Sequence, residues 1–184
     1  MSYEVISENV IRVVSYDTTD EEIRMSGADF VLYETTLGVY VGTDTEVSIP
    51  EGVTEIDVDV FAHRTDITKI TMPNTVETIW SNAFEGCTGL TEMMIPDSVK
   101  RIYDDAFYNC TGLTRVTLPN GVCVEESAFD GCEGLREILY GTRRFTSWKE
   151  MKECPECKIF NTFDDMPSEW PEWDEDDEDD EDDL

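Results

Sequence analysis

The chain has 184 residues, the length of one compact domain, and a formal charge of −30 from 43 acidic and 13 basic side chains. Such an excess repels nucleic acid and anionic membrane surfaces, which excludes both as direct partners and favours a protein with a basic surface. Fourteen of the acids lie from Asp164 onward with no base among them, leaving residues 1–163 near −16, and no run approaches the 18 or more apolar residues of a membrane-spanning helix.

Met1-Ser-Tyr-Glu-Val-Ile-Ser-Glu8 has neither a basic segment nor a long apolar run, so no export signal is read and the expected location is cytoplasmic. Val10–Tyr16, Asp29–Glu34 and Gly38–Gly42 read as strands. Thr19-Asp-Glu-Glu22 has capping-box spacing for a brief helix to Met25. Residues 1–45 are therefore expected to form a β-rich N-terminal cap that pairs with Val47–Ile49 and covers the coil beginning there.

From Glu46 the chain is a repeat. Pro50, Pro73, Pro96 and Pro119 stand 23 residues apart, and the apolar positions move with them. After Pro73 come Val76, Ile79, Ala83, Phe84, Cys87, Leu90, Met93 and Ile95. After Pro96 come Val99, Ile102, Ala106, Phe107, Cys110, Leu113, Val116 and Leu118. The set recurs once more, one residue shorter, as Val122, Val124, Ala128, Phe129, Cys132, Leu135, Ile138 and Tyr140. The coil before Pro73 is looser, with Arg64 in the cysteine's place. A period in the twenties predicts a solenoid with one short parallel strand per coil. Burying about eight apolar side chains at roughly 1.5–3 kcal/mol each does not offset an ordering cost of about 1.5 kcal/mol per residue. One coil cannot fold alone, so the stack needs neighbours and two unlike ends.

The segment Ile70–Leu90, with its counterparts at 93–113 and 116–135, resembles the BspA-type leucine-rich repeat: a strand, Pro, Val, Ile, an Ala-Phe pair and Cys-x-x-Leu. The resemblance spans residues 46–141, and Leu139-Tyr-Gly-Thr with Trp148-Lys-Glu-Met151 looks like that family's terminal cap. It implies a solenoid of about four coils, a non-enzymatic protein-binding role, and surface or secreted placement as the alternative to a cytoplasmic one.

Strand alternation sends Val47, Ile70, Met93 and Val116 inward and leaves two outward rows. Glu46, Lys69, Glu92, Arg115 and Glu137 alternate in sign, so each cation can sit between carboxylates. Ser48, Thr71, Met94, Thr117 and Leu139 form the second row. These rows either fix strand register or offer a partner surface with Met94 and Leu139 as its apolar contacts. On the opposite side Trp80 and Tyr103 recur at one repeat position among acids that include Asp104 and Asp105. They either cover the core edge over solvated loops or receive arginines of a basic partner.

Cys87, Cys110 and Cys132 form a ladder read as reduced core residues. Cys154-Pro-Glu-Cys157 is half a zinc motif or a redox pair by spacing, but it lacks further ligands and is read as a turn of the C-terminal cap. His63, the one histidine, shares its position with Gly86, Asn109 and Gly131 and is read as a left-handed bend residue. No phosphate loop, nucleophile elbow or histidine-bearing metal spacing is present. No catalytic residue, cofactor or metal is assigned.

Thr146-Ser147 should cap a short helix whose Trp148 and Met151 cover the last coil, within a C-terminal cap over 142–163. Residues 164–184, with Trp170-Pro-Glu-Trp173 and an Asp/Glu run, read as a disordered tail. The function expected is a protein-interaction module binding a basic partner through Glu92, Met94, Arg115, Thr117, Glu137, Leu139, Trp80, Tyr103, Asp104 and Asp105, with Trp170 and Trp173 on the tail. The alternative is an acidic nucleic-acid mimic that blocks a nucleic-acid-acting enzyme, such as a defence nuclease.

Overall fold

A computed structural model describes residues 3–13 and 27–161. The expected helix at 19–25 and the tail with Trp170 and Trp173 lie outside the described residues.

The 23-residue period becomes a β-solenoid. Five strands, β5 (Glu46–Ser48), β7 (Lys69–Thr71), β9 (Glu92–Met94), β11 (Arg115–Leu118) and β13 (Glu137–Tyr140), succeed one another one coil apart. β5 pairs with β7, and β9, β11 and β13 pair in parallel with unbroken repeat register, Glu92 beside Arg115 beside Glu137. Proline then turns the chain. The amides of Val53, Val76, Val99 and Val122 donate to the carbonyls of Pro50, Pro73, Pro96 and Pro119 at 3.1–3.5 Å.

Each coil carries a second, shorter strand that the sequence did not reveal: β6 (Glu55–Ile56), β8 (Thr78–Ile79), β10 (Arg101–Ile102) and β12 (Cys123–Glu125). These join a nine-stranded sheet in the order β1–β2–β3–β4–β6–β8–β10–β12–β15, with β1 (Tyr3–Ser7), β2 (Val10–Val13), β3 (Phe30–Tyr33), β4 (Thr36–Tyr40) and β15 (Ile159–Phe160). None of the described strands of the N-terminal cap therefore pairs with Val47–Ile49. Its strand β4 lies parallel to β6, Leu37 beside Ile56. That docking extends the core: Leu37 and Ile56 are fully buried, and Tyr40 places its ring 5.2 Å from Phe61.

Phe61, Phe84, Phe107 and Phe129 stack face to face at 4.9–5.1 Å with planes within 7° of parallel. Phe30 and Tyr40 continue the column below, and Trp148 closes it 5.1 Å above Phe129. Ring spacing near 5 Å matches the separation of paired strands, so one aromatic per coil fills one layer. His63, Gly86, Asn109 and Gly131 all have φ between 56° and 75°, the left-handed bend read from their shared position.

The cysteines are free thiols. Cys87, Cys110 and Cys132 donate from Sγ to the carbonyls of Phe61, Phe84 and Phe107 at 3.0–3.1 Å, one coil down. Burial pushes the Cys87 thiol up to about 12, as befits a core residue. In the first coil Arg64 takes this place, its guanidinium 5.1 Å over the Tyr40 ring and forked onto Asp66 at 2.9 Å. The Arg64 hydrogen bonds hold the Asp66 carboxyl at about 2.

At the far end α1 (Trp148–Lys152) is capped as its sequence predicts. The Ser147 hydroxyl accepts from the Glu150 amide at 3.2 Å, the Glu150 carboxylate accepts from Thr146, and Trp148 and Met151 are buried. Between β13 and α1 runs β14 (Arg143–Phe145), antiparallel to β13 across a two-residue turn at Gly141-Thr142. No helix among the described residues is long and apolar enough to cross a membrane.

Candidate interaction surface

The sheet of β9, β11, β13 and β14 gathers Glu92, Met94, Arg115, Thr117, Glu137 and Leu139 on its outward side, in the two rows the alternation predicts. Arg115 lies between two carboxylates, with Nε 2.6 Å from Glu137 Oε2 and Nη1 3.4 Å from Glu92 Oε1. Arg144 on β14 approaches the other Glu137 oxygen at 2.7 Å. Sequence reasoning missed Arg144 because it falls outside the repeat. The signal was present nonetheless: Gly141-Thr142 between two strand-like runs is a hairpin turn.

Glu137 is thus held below its ordinary value of 4.5, first by the Arg115 hydrogen bond and then by the Arg144 charge, desolvation opposing both. A depressed carboxyl contributes stability that is complete above its unfolded value and is lost as pH falls through its folded value. Replacing Arg115 with Met should therefore lower the urea midpoint near neutral pH. The gap from wild type should close as pH drops below 4.5. A gap independent of pH would assign the Arg115 contribution to packing of its stem.

Met94 stands two residues beyond Glu92 on β9, in the second outward row. It is 72% exposed, the most exposed large apolar side chain among the described residues, and Thr117 lies beside it on β11. Leu139 is half-buried beside Thr117.

On the opposite side the aromatics cover the core edge, the first of the two readings of their repeat position. Tyr103 is only 1% exposed. It stacks on Trp80 at 4.5 Å, and Phe160 of β15 lies edge-on against it at 6.4 Å. Trp80 is half-buried and its Nε1 donates to Glu55 Oε2 at 2.8 Å. The returning strand β15, which no periodicity announces, closes over the pair and removes Tyr103 from any contact surface.

Asp104 is exposed and accepts from the Ser81 hydroxyl at 2.5 Å, and Asp105 occupies a left-handed turn at φ 53° with its amide on Ser127 Oγ at 3.0 Å. Lys152 reaches Asp130 at 2.9 Å and Glu126 at 3.9 Å. Among the described residues Asp57, Asp59 and Glu85 make no ion pair. This flank keeps a surplus of negative charge.

The described residues hold no group of three or more His, Cys, Asp or Glu arranged for a metal ion. His63 is an exposed bend residue at φ 60°.

Residues 41–150 match, in six copies, a family model described as the BspA type leucine rich repeat region. Among solved structures the chain is similar to a leucine-rich repeat protein from Bacteroides ovatus ATCC 8483, at 26% identity over 74% of this chain and 39% of that one, with a TM-score of 0.52. It is also similar to the pneumococcal vaccine antigen PcpA, at 22% identity over 63% of this chain and 31% of that one, with a TM-score of 0.56. A leucine rich cell surface protein from Faecalibacterium prausnitzii A2-165 aligns at 24% identity over 77% of this chain and 38% of that one, with a TM-score of 0.46. The chain spans well under half the length of each of these structures. No curated protein matches it.

Proposed function

The chain belongs to the BspA-type leucine-rich repeat family, and on that footing we propose that it is a protein-interaction module whose docking surface is the outward face of β9, β11 and β13. The observation that carries this reading is Met94, a large apolar side chain standing in solvent on β9, the edge strand of an otherwise internally paired, in-register sheet face. An apolar anchor within a polar rim is the usual energetic plan of a protein interface. Thr71, Thr117 and Leu139 share its row, and the Glu92–Arg115–Glu137 row, with Arg144 reaching Glu137 from beside Leu139, supplies directional charge next to it.

The partner proposed is a protein with a basic surface. Support comes from the charge near −16 over residues 1–163 and from the carboxylates of Asp57, Asp59 and Glu85, which make no ion pair among the described residues. Such a field raises encounter rates with cationic proteins and turns away anionic ones.

Salt-gradient capture from the native host's lysate tests both points, using the full chain, a Met94→Glu variant and a chain ending at Asn161. Met94→Glu should weaken capture about tenfold or more, the size of a hot-spot loss, while the shortened chain keeps its partner. Capture unaffected by Met94→Glu but abolished by shortening, reversed by moderate salt and by competing DNA, would move binding to the acidic tail and support the nucleic-acid-mimic alternative.

A further inference from the structure

The Cys154-Pro-Glu-Cys157 turn at the closing end of the solenoid is left unused by the interaction reading. The Cys157 amide donates to the Cys154 carbonyl at 3.1 Å. A turn closed in this way keeps its first and fourth Cα atoms within about 7 Å, close to the span a disulfide bridges. Cys154 is half-buried at the surface, whereas Cys157 is 7% exposed.

The surroundings of Cys154 are polar and charged. Arg143 Nη1 lies 3.6 Å from its Sγ, and that sulfur donates to Glu156 Oε2 at 3.7 Å. Arg143 and Glu156 are themselves paired at 2.8 Å, so cation and carboxylate are held together beside one reachable sulfur. Burial, followed by the neighbouring Cys154 thiol, pushes the Cys157 thiol up to about 12. It should stay protonated until a reaction begins next to it.

None of the other four cysteines has this setting. Cys87, Cys110 and Cys132 are spent on carbonyls in the core, and Cys123 is 1% exposed.

We propose that Cys154 and Cys157 are the chain's oxidisable dithiol, a modification site closed by a low-molecular-weight disulfide. In the first step Cys154 releases its proton to solvent and, as the thiolate beside the Arg143 guanidinium, attacks one sulfur of that oxidant. The oxidant's S–S bond breaks and its first half leaves as a thiolate, which takes up the released proton. Cys157 then attacks the Cys154 sulfur of the mixed adduct, and the second half leaves with the Cys157 proton. Two protein S–H bonds become one S–S bond, and one small disulfide is reduced to two thiols.

The new bond ties the end of α1 to the approach of β15, the strand that pairs with β12 and lays Phe160 against Tyr103. Because the loop closed spans only four residues, the unfolded chain loses little entropy. The consequence is therefore local to the cap rather than global. The proposal is independent of which solenoid face binds a partner.

The test uses the full chain, oxidised glutathione as the probe, and intact-mass measurement with peptide mapping. Wild type should end lighter by two hydrogens with the bond mapped to Cys154–Cys157, and its remaining four thiols should alkylate only after denaturation. Cys157→Ser should stop at a glutathione adduct on Cys154, and Cys154→Ser should form neither product while keeping the wild-type circular dichroism spectrum. Wild type that retains six thiols under excess oxidant, ends as a lasting glutathione adduct, or closes a different pair overturns the proposal. The wild-type map decides the matter even if a serine variant fails to fold.

Discussion

Phe107→Ala should lower stability by about 3–5 kcal/mol, the range for deleting a fully buried phenylalanine, and reduce the melting temperature by roughly 6–20 °C for a chain of this size. Phe107 is 0% exposed and lies between Phe84 and Phe129, each 4.9 Å away and nearly parallel. Removing its ring opens a void in the middle of the column and forfeits two aromatic contacts worth about 0.5–1.5 kcal/mol each beyond burial. The void cannot collapse easily. The backbone at that level is pinned by the Phe107 amide to the Ala128 carbonyl at 2.8 Å and by the Cys132 thiol to the Phe107 carbonyl at 3.1 Å. Urea unfolding followed by circular dichroism reads the loss, and a change below about 1 kcal/mol would mean that the coils repack without their aromatic layer. Phe107→Leu, which keeps apolar volume but not the stack, should fall between the two.

The same column shows what the sequence could and could not reveal. A residue whose neighbours stand one period away in both directions announces itself. Phe84 and Phe107 are legible as stacked core, and His63 is legible as a left-handed bend because Gly86, Asn109 and Gly131 share its place and its φ. Inward Val116 and outward Arg115 are equally plain from alternation, and Arg115 does sit between Glu92 and Glu137. What stayed hidden depends on contacts between unlike segments. β8 and β10 are two residues each, too short for alternation to register. The cap strand β4 docks beside Ile56 rather than Val47, since Tyr40 must reach the base of the aromatic column. Tyr103 shares a repeat position with Trp80 and looks equally available, yet Phe160 arrives from beyond the repeat to cover it. Met94 could be placed on the outward face from its neighbours, but its degree of exposure required knowing that none of the described cap strands crosses that face.

The second large effect is expected at a glycine whose role is close approach. Gly89, Gly112 and Gly134 recur two residues after the cysteine position, and none needs a left-handed backbone. A Cβ on Gly89 would stand 2.5 Å from the Thr65 carbonyl oxygen. Added atoms at Gly112 and Gly134 would meet the carbonyls of Thr88 and Thr111 in the same way. Those atoms are backbone, so no side chain can swing aside, and the coils themselves would have to separate. Separation at this corner works against the Phe column and the cysteine hydrogen bonds, both of which depend on one coil lying directly on the next. Gly112→Ala should therefore cost about 3 kcal/mol, the upper end of the range for overpacking. The corresponding residue of the first coil is Asp66, which is nearly half exposed and paired with Arg64. Asp66→Ala should consequently leave the denaturant midpoint close to that of wild type, as expected for a surface ion pair. Denaturant midpoints of the two variants, measured side by side, decide the point. Equal and small losses would show that the corner is looser than the coil contacts imply, whereas a large loss at Gly112 beside a small one at Asp66 would establish that the tight stack begins above the first coil.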